Sequence, residues 1–266
     1  MAFASATISS DAIERCFQEL RRRERRALVC YLTAGHPDPD RSLPLLQRVA
    51  AAGADIIEIG VPFSDPMADG PVIQASSQTA LEHGMRFDRV LELITRAALD
   101  IPVVLFTYLN PLLAAGEGAL VRAADAGAHG VLVTDLPLGA DPGRERWLGS
   151  SPLAYIRLVA PTTPPGRMAE IARHGRGFVY LISRLGVTGM RAELPSALPA
   201  TIAALRARTA LPICVGFGIS TPEQARIVGR TADGVVVGSA LVRAAGESVA
   251  AAESLVRALR RGLDAG

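Results

Sequence analysis

Eight short runs of branched apolar residues recur along the chain, and this recurrence constrains the fold more than any other feature. They are ALVCYLT (27–33), DIIEIG (55–60), PVVLFTY (102–108), GVLVT (130–134), LAYIRLV (153–159), GFVYLIS (177–183), PICVG (212–216) and GVVVG (234–238). Runs this short and this evenly apolar read as strands buried on both faces, the condition of a parallel sheet covered by helices. Between them the apolar spacing changes to that of a helix, as at Phe87, Val90, Leu91, Ile94 and Ala98, or at Val249, Ala252, Val256 and Leu259. Thr221, Pro222 and Gln224 supply an N-cap, a first-turn proline and a capping-box partner, and Gly229 is placed to end that helix. Similar phrases lead several helices into the next strand: AGADIIEIG (52–60), AGAHGVLVT (126–134) and TADGVVVG (231–238).

Eight such units in 266 residues match a (β/α)8 barrel, an α/β fold. A doubly wound open sheet is the alternative, and it is weaker because no Gly-x-Gly-x-x-Gly opens a helix after the first strand. No linker or composition shift marks a second domain, so one barrel domain is expected over 1–266. An extra N-terminal helix is expected around Ile13, Cys16, Phe17 and Leu20, with residues 1–10 as a flexible extension.

Composition narrows the functional classes. No apolar run approaches the roughly 20 residues that span a bilayer, and the opening MAFASATISS lacks a basic segment followed by an apolar core. A cytoplasmic protein without membrane partners is expected. The net charge is +2, and the dense basic run RRRERR (21–26) reads as a solvated helix end rather than a nucleic-acid surface. Cys16, Cys30 and Cys214 are odd in number and far apart, which points to buried thiols. The four histidines show no metal-ligand spacing, and no metal is expected.

In a barrel of this kind, chemistry sits at the C-terminal ends of the strands. Two loops there exceed the usual length of roughly 2–6 residues: one after Gly60 and one after Ser183. Alternation along the second run puts Ile56, Glu58 and Gly60 on one face and Ile57 and Ile59 on the other. If the second pair faces the helices, Glu58 points into the barrel, where apolar walls raise its pKa and suit it to give and take a proton. A structural carboxylate paired with an interior arginine is the competing reading. Asp65 and Asp69 lie on a loop stiffened by Pro62, Pro66 and Pro71. Ser64-Asp65-Pro66 reads as a turn, which leaves Asp69, before Gly70, as the better substrate contact.

GFGIS (216–220) and GSA (238–240) follow the seventh and eighth runs, where barrels often hold phosphate on backbone N–H groups. Gly216, Gly218, Gly238 and Ser239 are the candidates. SRLGVTGM (183–190), with Gly186 and Gly189, reads as a lid or as an ordinary surface loop, with Thr188 able to meet Asp69. Tyr108 and Tyr180 could wall an aromatic pocket or simply cap the core.

Taken together, LTAGHP, IIEIGVPFSDPMADGP, TYLNP, VTDLP, YLISRLGVTG, VGFGIS and GSALV resemble, in order, the tryptophan synthase α-subunit family, from about residue 11 to about 260. The resemblance implies a TIM barrel that cleaves indole-3-glycerol phosphate to indole and glyceraldehyde 3-phosphate. It implies that Glu58 protonates indole C3 and helps remove the glycerol hydroxyl proton, and that Asp69 holds the indole N–H. It places phosphate at Gly189, Gly218, Gly238 and Ser239, the lid contact at Thr188 and a pocket tyrosine at Tyr180. It further implies an αββα complex with a β subunit that carries pyridoxal phosphate, this chain holding no cofactor. Two readings stand beside it: a free-standing indole-glycerol-phosphate lyase, and a non-catalytic regulatory partner, against which the presence of both Glu58 and Asp69 argues. His36 replaces the aspartate usual in Thr-Ala-Gly-Asp-Pro, and DLPLGADPG (135–143) lacks the acidic pair that commonly follows Asp-Leu-Pro.

Overall fold

The computed structural model describes residues 6–183, 195–216 and 218–266. The apolar runs form the strands β1 (Ala27–Thr33), β2 (Ile56–Gly60), β3 (Val103–Thr107) and β4 (Gly130–Val133). The series continues with β5 (Ala154–Val159), β6 (Val179–Ile182), β7 (Ile213–Gly216) and β8 (Gly234–Val237). Neighbours pair in parallel in sequence order, and β8 closes on β1, with Ala27 opposite Gly234 and Cys30 opposite Val237. Closure leaves no edge strand, so the backbone groups along the sheet find partners within it.

Alternation sorts the strand residues into two packing layers. Leu28, Cys30, Leu32, Ile57, Ile59, Leu105 and Val131 pack outward against the helices. Ala27, Val29, Tyr31, Ile56, Val104, Phe106 and Tyr180 fill the interior. Glu58 shares the inward face with Ile56.

The helices are α1 (Ala6–Arg22), α2 (Pro39–Ala51), α3 (Pro71–Glu82), α4 (Phe87–Ala97), α5 (Leu109–Ala114) and α6 (Ala119–Asp125). They continue with α7 (Pro142–Gly149), α8 (Pro165–Arg173), α9 (Leu198–Arg206), α10 (Pro222–Gly229), α11 (Ser239–Glu247) and α12 (Val249–Asp264). The capping box on α10 is formed: the Gln224 N–H donates to Thr221 Oγ1 and the Thr221 N–H to Gln224 Oε1, both at 3.2 Å. Ala98, expected inside α4, instead closes it in the left-handed region at φ 44°.

Helix α1 begins at Ala6, ahead of the first residue of its apolar stripe, Ile13. Once a turn exists, each further residue adds a hydrogen bond, and a helix can outrun its apolar stripe. That stripe seals the N-terminal end of the barrel: Ile13, Phe17 and Leu20 are buried with the interior strand residues, and the Phe17 and Phe178 rings lie 5.8 Å apart. Burying such side chains contributes about 1.5–3 kcal/mol each. With that end plugged, the opposite end is the one open to a ligand.

Candidate active site

Glu58 enters the barrel from β2 and is fully buried, and neither carboxylate oxygen has a hydrogen-bond partner among the described residues. Burial alone pushes its pKa from 4.5 up to about 8. An interior arginine would have held the value down, and none among the described residues acts on this group.

Asp69 approaches from the loop between β2 and α3. Its backbone N–H donates to Pro66 O at 3.0 Å, and Oδ2 accepts from the Tyr108 hydroxyl at 2.9 Å. The same hydroxyl accepts from the Ala68 N–H at 2.9 Å, so one phenol fixes both the loop backbone and its carboxylate. Burial raises Asp69 to about 6, against the lowering effect of the Tyr108 hydrogen bond. Asp65, by contrast, is exposed, accepts from Ser64 Oγ at 2.5 Å and closes a turn through Met67 N.

Both carboxylates line one cavity at the C-terminal end of the barrel, with about 850 Å³ of empty space counting its open mouth. Its walls include Tyr31, Phe106 and Tyr180, and its upper rim includes Gly218, Gly238 and Ser239. Tyr31 packs edge-on against Phe106, with ring centroids 5.0 Å apart. Two glycines make room for these tyrosines. A Cβ on Gly60 would sit 2.1 Å from the Tyr31 hydroxyl, and one on Gly216 would sit 2.1 Å from the Tyr180 hydroxyl.

Gly216 therefore accommodates an aromatic ring and does not itself line the cavity. Gly238 is the N-cap of α11 and Ser239 its first residue, so the free N–H groups of that helix start at the cavity wall. Gly218 has φ +89°, a conformation other residues adopt at a cost.

Tyr108 is the expected residue whose task differs most from a substrate contact: it is absent from the cavity wall and holds Asp69. Thr188 and Gly189 lie outside the described residues. Sequence reasoning passed over Tyr31, Phe106 and Arg243. Alternation along the first and third runs marks Tyr31 and Phe106 as inward, and Arg243 lies four residues after Ser239 on the same helix face. His36 sits on the loop after β1, with a backbone hydrogen bond to Val242 of α11, and is not a cavity residue. The Asp135 carboxylate accepts from Leu109 N at 2.8 Å, which ties the β4 loop to the start of α5.

Two carboxylates of raised pKa, an aromatic wall and a helix N-terminus suit an aromatic substrate carrying an anionic group. A family model described as "Tryptophan synthase alpha chain" matches residues 17–263. The chain belongs to the tryptophan synthase alpha-chain family. It is 45% identical over 249 residues to the tryptophan synthase alpha chain of Laribacter hongkongensis, covering 91% of this chain and 94% of that one. The alpha chain of Synechococcus elongatus is 46% identical over 258 residues, covering 95% and 97%. A solved Mycobacterium tuberculosis tryptophan synthase superposes with TM-score 0.89 at 35% identity, over 96% of this chain and 98% of that chain.

As a tryptophan synthase alpha chain, the protein acts in tryptophan biosynthesis as the lyase that cleaves indole-3-glycerol phosphate. Its family partner is the β subunit, to which pyridoxal phosphate belongs. No helix among the described residues is long and apolar enough to cross a membrane.

Proposed function

We propose that Glu58 is the proton shuttle of the cleavage and Asp69 the anchor of the indole nitrogen. The observation that carries this reading is the buried Glu58 carboxyl, which lacks a hydrogen-bond partner among the described residues and lines the same cavity as Asp69. With Asp69 near 6 and Glu58 near 8, the neutral pH range holds Asp69 ionised and Glu58 protonated. Two acids whose environments separate their pKa values can take opposite roles.

Protonated Glu58 gives its proton to indole C3, and the resulting iminium cation is stabilised by the Asp69 carboxylate against its N–H. Glu58, now a carboxylate, takes the proton from the hydroxyl on the adjoining glycerol carbon. The bond between that carbon and C3 breaks, its electron pair neutralises the iminium, and indole and glyceraldehyde 3-phosphate leave. Glu58 ends the cycle protonated, as it began.

Tyr31, Phe106 and Tyr180 wall the indole ring, and Gly218, Gly238 and Ser239 hold the phosphate at the start of α11. The protein works in the cytoplasm as one barrel domain docked to its β subunit. The deciding experiment is release of indole from indole-3-glycerol phosphate, followed by absorbance with and without added β subunit. Turnover that rises on adding the subunit supports the complex, fast turnover alone supports a free-standing lyase, and none in either condition refutes the assignment.

A further inference from the structure

The cavity is electrically unbalanced for the ligand it is read to hold. The Asp69 carboxylate lines it, a phosphate group brings up to two more negative charges, and the start of α11 offers only about half a positive charge. Among the described residues that line the cavity, Arg243 is the one cationic side chain. It lies one turn beyond Ser239 on α11, a spacing that puts both side chains on the same face of the helix. The residue is exposed at the rim, so its guanidinium loses little hydration in meeting an anion there, and its planar fork matches two phosphate oxygens.

We propose that Arg243 is a binding residue for the substrate phosphate and sets the preference for phosphorylated over unphosphorylated indole-glycerol. The proposal rests on the phosphate placement above and extends it from backbone N–H groups to a charged side chain. An arginine at the mouth also raises the local concentration of anionic substrate, an effect that salt weakens.

The test compares wild type with Arg243→Met and Arg243→Lys, with the β subunit present. For Arg243→Met, KM for indole-3-glycerol phosphate rises about tenfold while the change in kcat stays much smaller, as expected for loss of a charge-assisted contact. The inhibition constant of inorganic phosphate rises in parallel, and the ratio of kcat/KM for phosphorylated over unphosphorylated substrate falls about tenfold. Arg243→Lys, which keeps the charge, recovers most of the loss. Unchanged KM and phosphate inhibition in Arg243→Met, with an active wild type, would overturn the proposal and leave the assigned reaction standing. If the wild type failed to cleave the substrate, calorimetric titration with inorganic phosphate would still decide: weaker binding to Arg243→Met supports the contact, and equal binding refutes it.

Discussion

The two ends of the barrel treat their carboxylates in opposite ways. At the closed end, Asp55 accepts from Leu28 N at 2.8 Å and from Arg260 Nη1 at 2.9 Å. Asp233 repeats the arrangement, accepting from Ile213 N at 2.8 Å and pairing with Arg206. At the open end, Glu58 has no hydrogen-bond partner among the described residues. Burial raises both Asp55 and Glu58, yet for Asp55 the Leu28 N–H and Arg260 oppose it, while for Glu58 nothing does. A paired carboxylate ties strands together, whereas an unpaired one stores the cost of its own charge and is poised to carry a proton. The fold thus keeps its paired acids and the acid proposed to react at opposite ends of the same strands.

The largest expected effect comes from removing the Glu58 proton. Glu58→Gln keeps the shape and removes the titratable proton, so cleavage falls at least about a thousandfold, within the span of acid–base catalysis. Substrate binding, followed by calorimetry, persists. The matching change at the other end, Asp55→Ala, removes one of the two carboxylates on Arg260, Asp264 remaining as the other, and strips the Leu28 N–H of its acceptor; it costs about 2 kcal/mol in urea unfolding. Cleavage by the folded protein is retained there, because Asp55 does not line the cavity.

The next effect is on stability against pH. Glu58 binds its proton more tightly in the folded state, so its contribution is fully present below about 4.5 and is lost as pH rises toward about 8. In that window the unfolded chain is ionised first, and stability falls by up to about 1.4 kcal/mol per pH unit. Denaturant titrations from pH 5 to pH 8 should therefore show wild type losing roughly 3 kcal/mol more than Glu58→Gln. Equal losses would mean that the carboxyl is already paired or hydrated.

The smallest expected effect is at Tyr108. Tyr108→Phe removes the hydroxyl that holds Asp69 down, so the acidic limb of the kcat/KM profile moves up from about 6 by about one unit. The Ala68 N–H also loses its acceptor, and kcat falls by about fivefold at neutral pH.

Much of this was legible in the residues, for reasons that differ from place to place. The strands could be read because burial on both faces leaves almost no polar residue in the runs. The inward direction of Glu58 followed from strict alternation beside Ile57 and Ile59. The turn at Ser64-Asp65-Pro66 followed from local chemistry, and so did the capping box at Thr221.

What escaped depends on partners distant in sequence. Tyr108 and Asp69 are 39 residues apart, and Asp55 and Arg260 are 205 apart, so neither pair leaves a local pattern. The task of Gly216 could not be read without the ring of Tyr180, which belongs to the neighbouring strand. Arg243 sits on a helix rich in small apolar residues, where a single charge reads as ordinary solvent exposure until the cavity is seen.

Glu58, buried without a hydrogen-bond partner among the described residues, is expected to be protonated at neutral pH. A 13C carboxyl NMR titration of the protein, with the Glu58 signal assigned by its disappearance in Glu58→Gln, measures this directly. The expected midpoint lies near 8, with a shift coupled to loss of activity on the alkaline side. A midpoint near the ordinary 4.5 would show an ionised Glu58 at neutral pH and contradict its role as the acid that protonates indole C3.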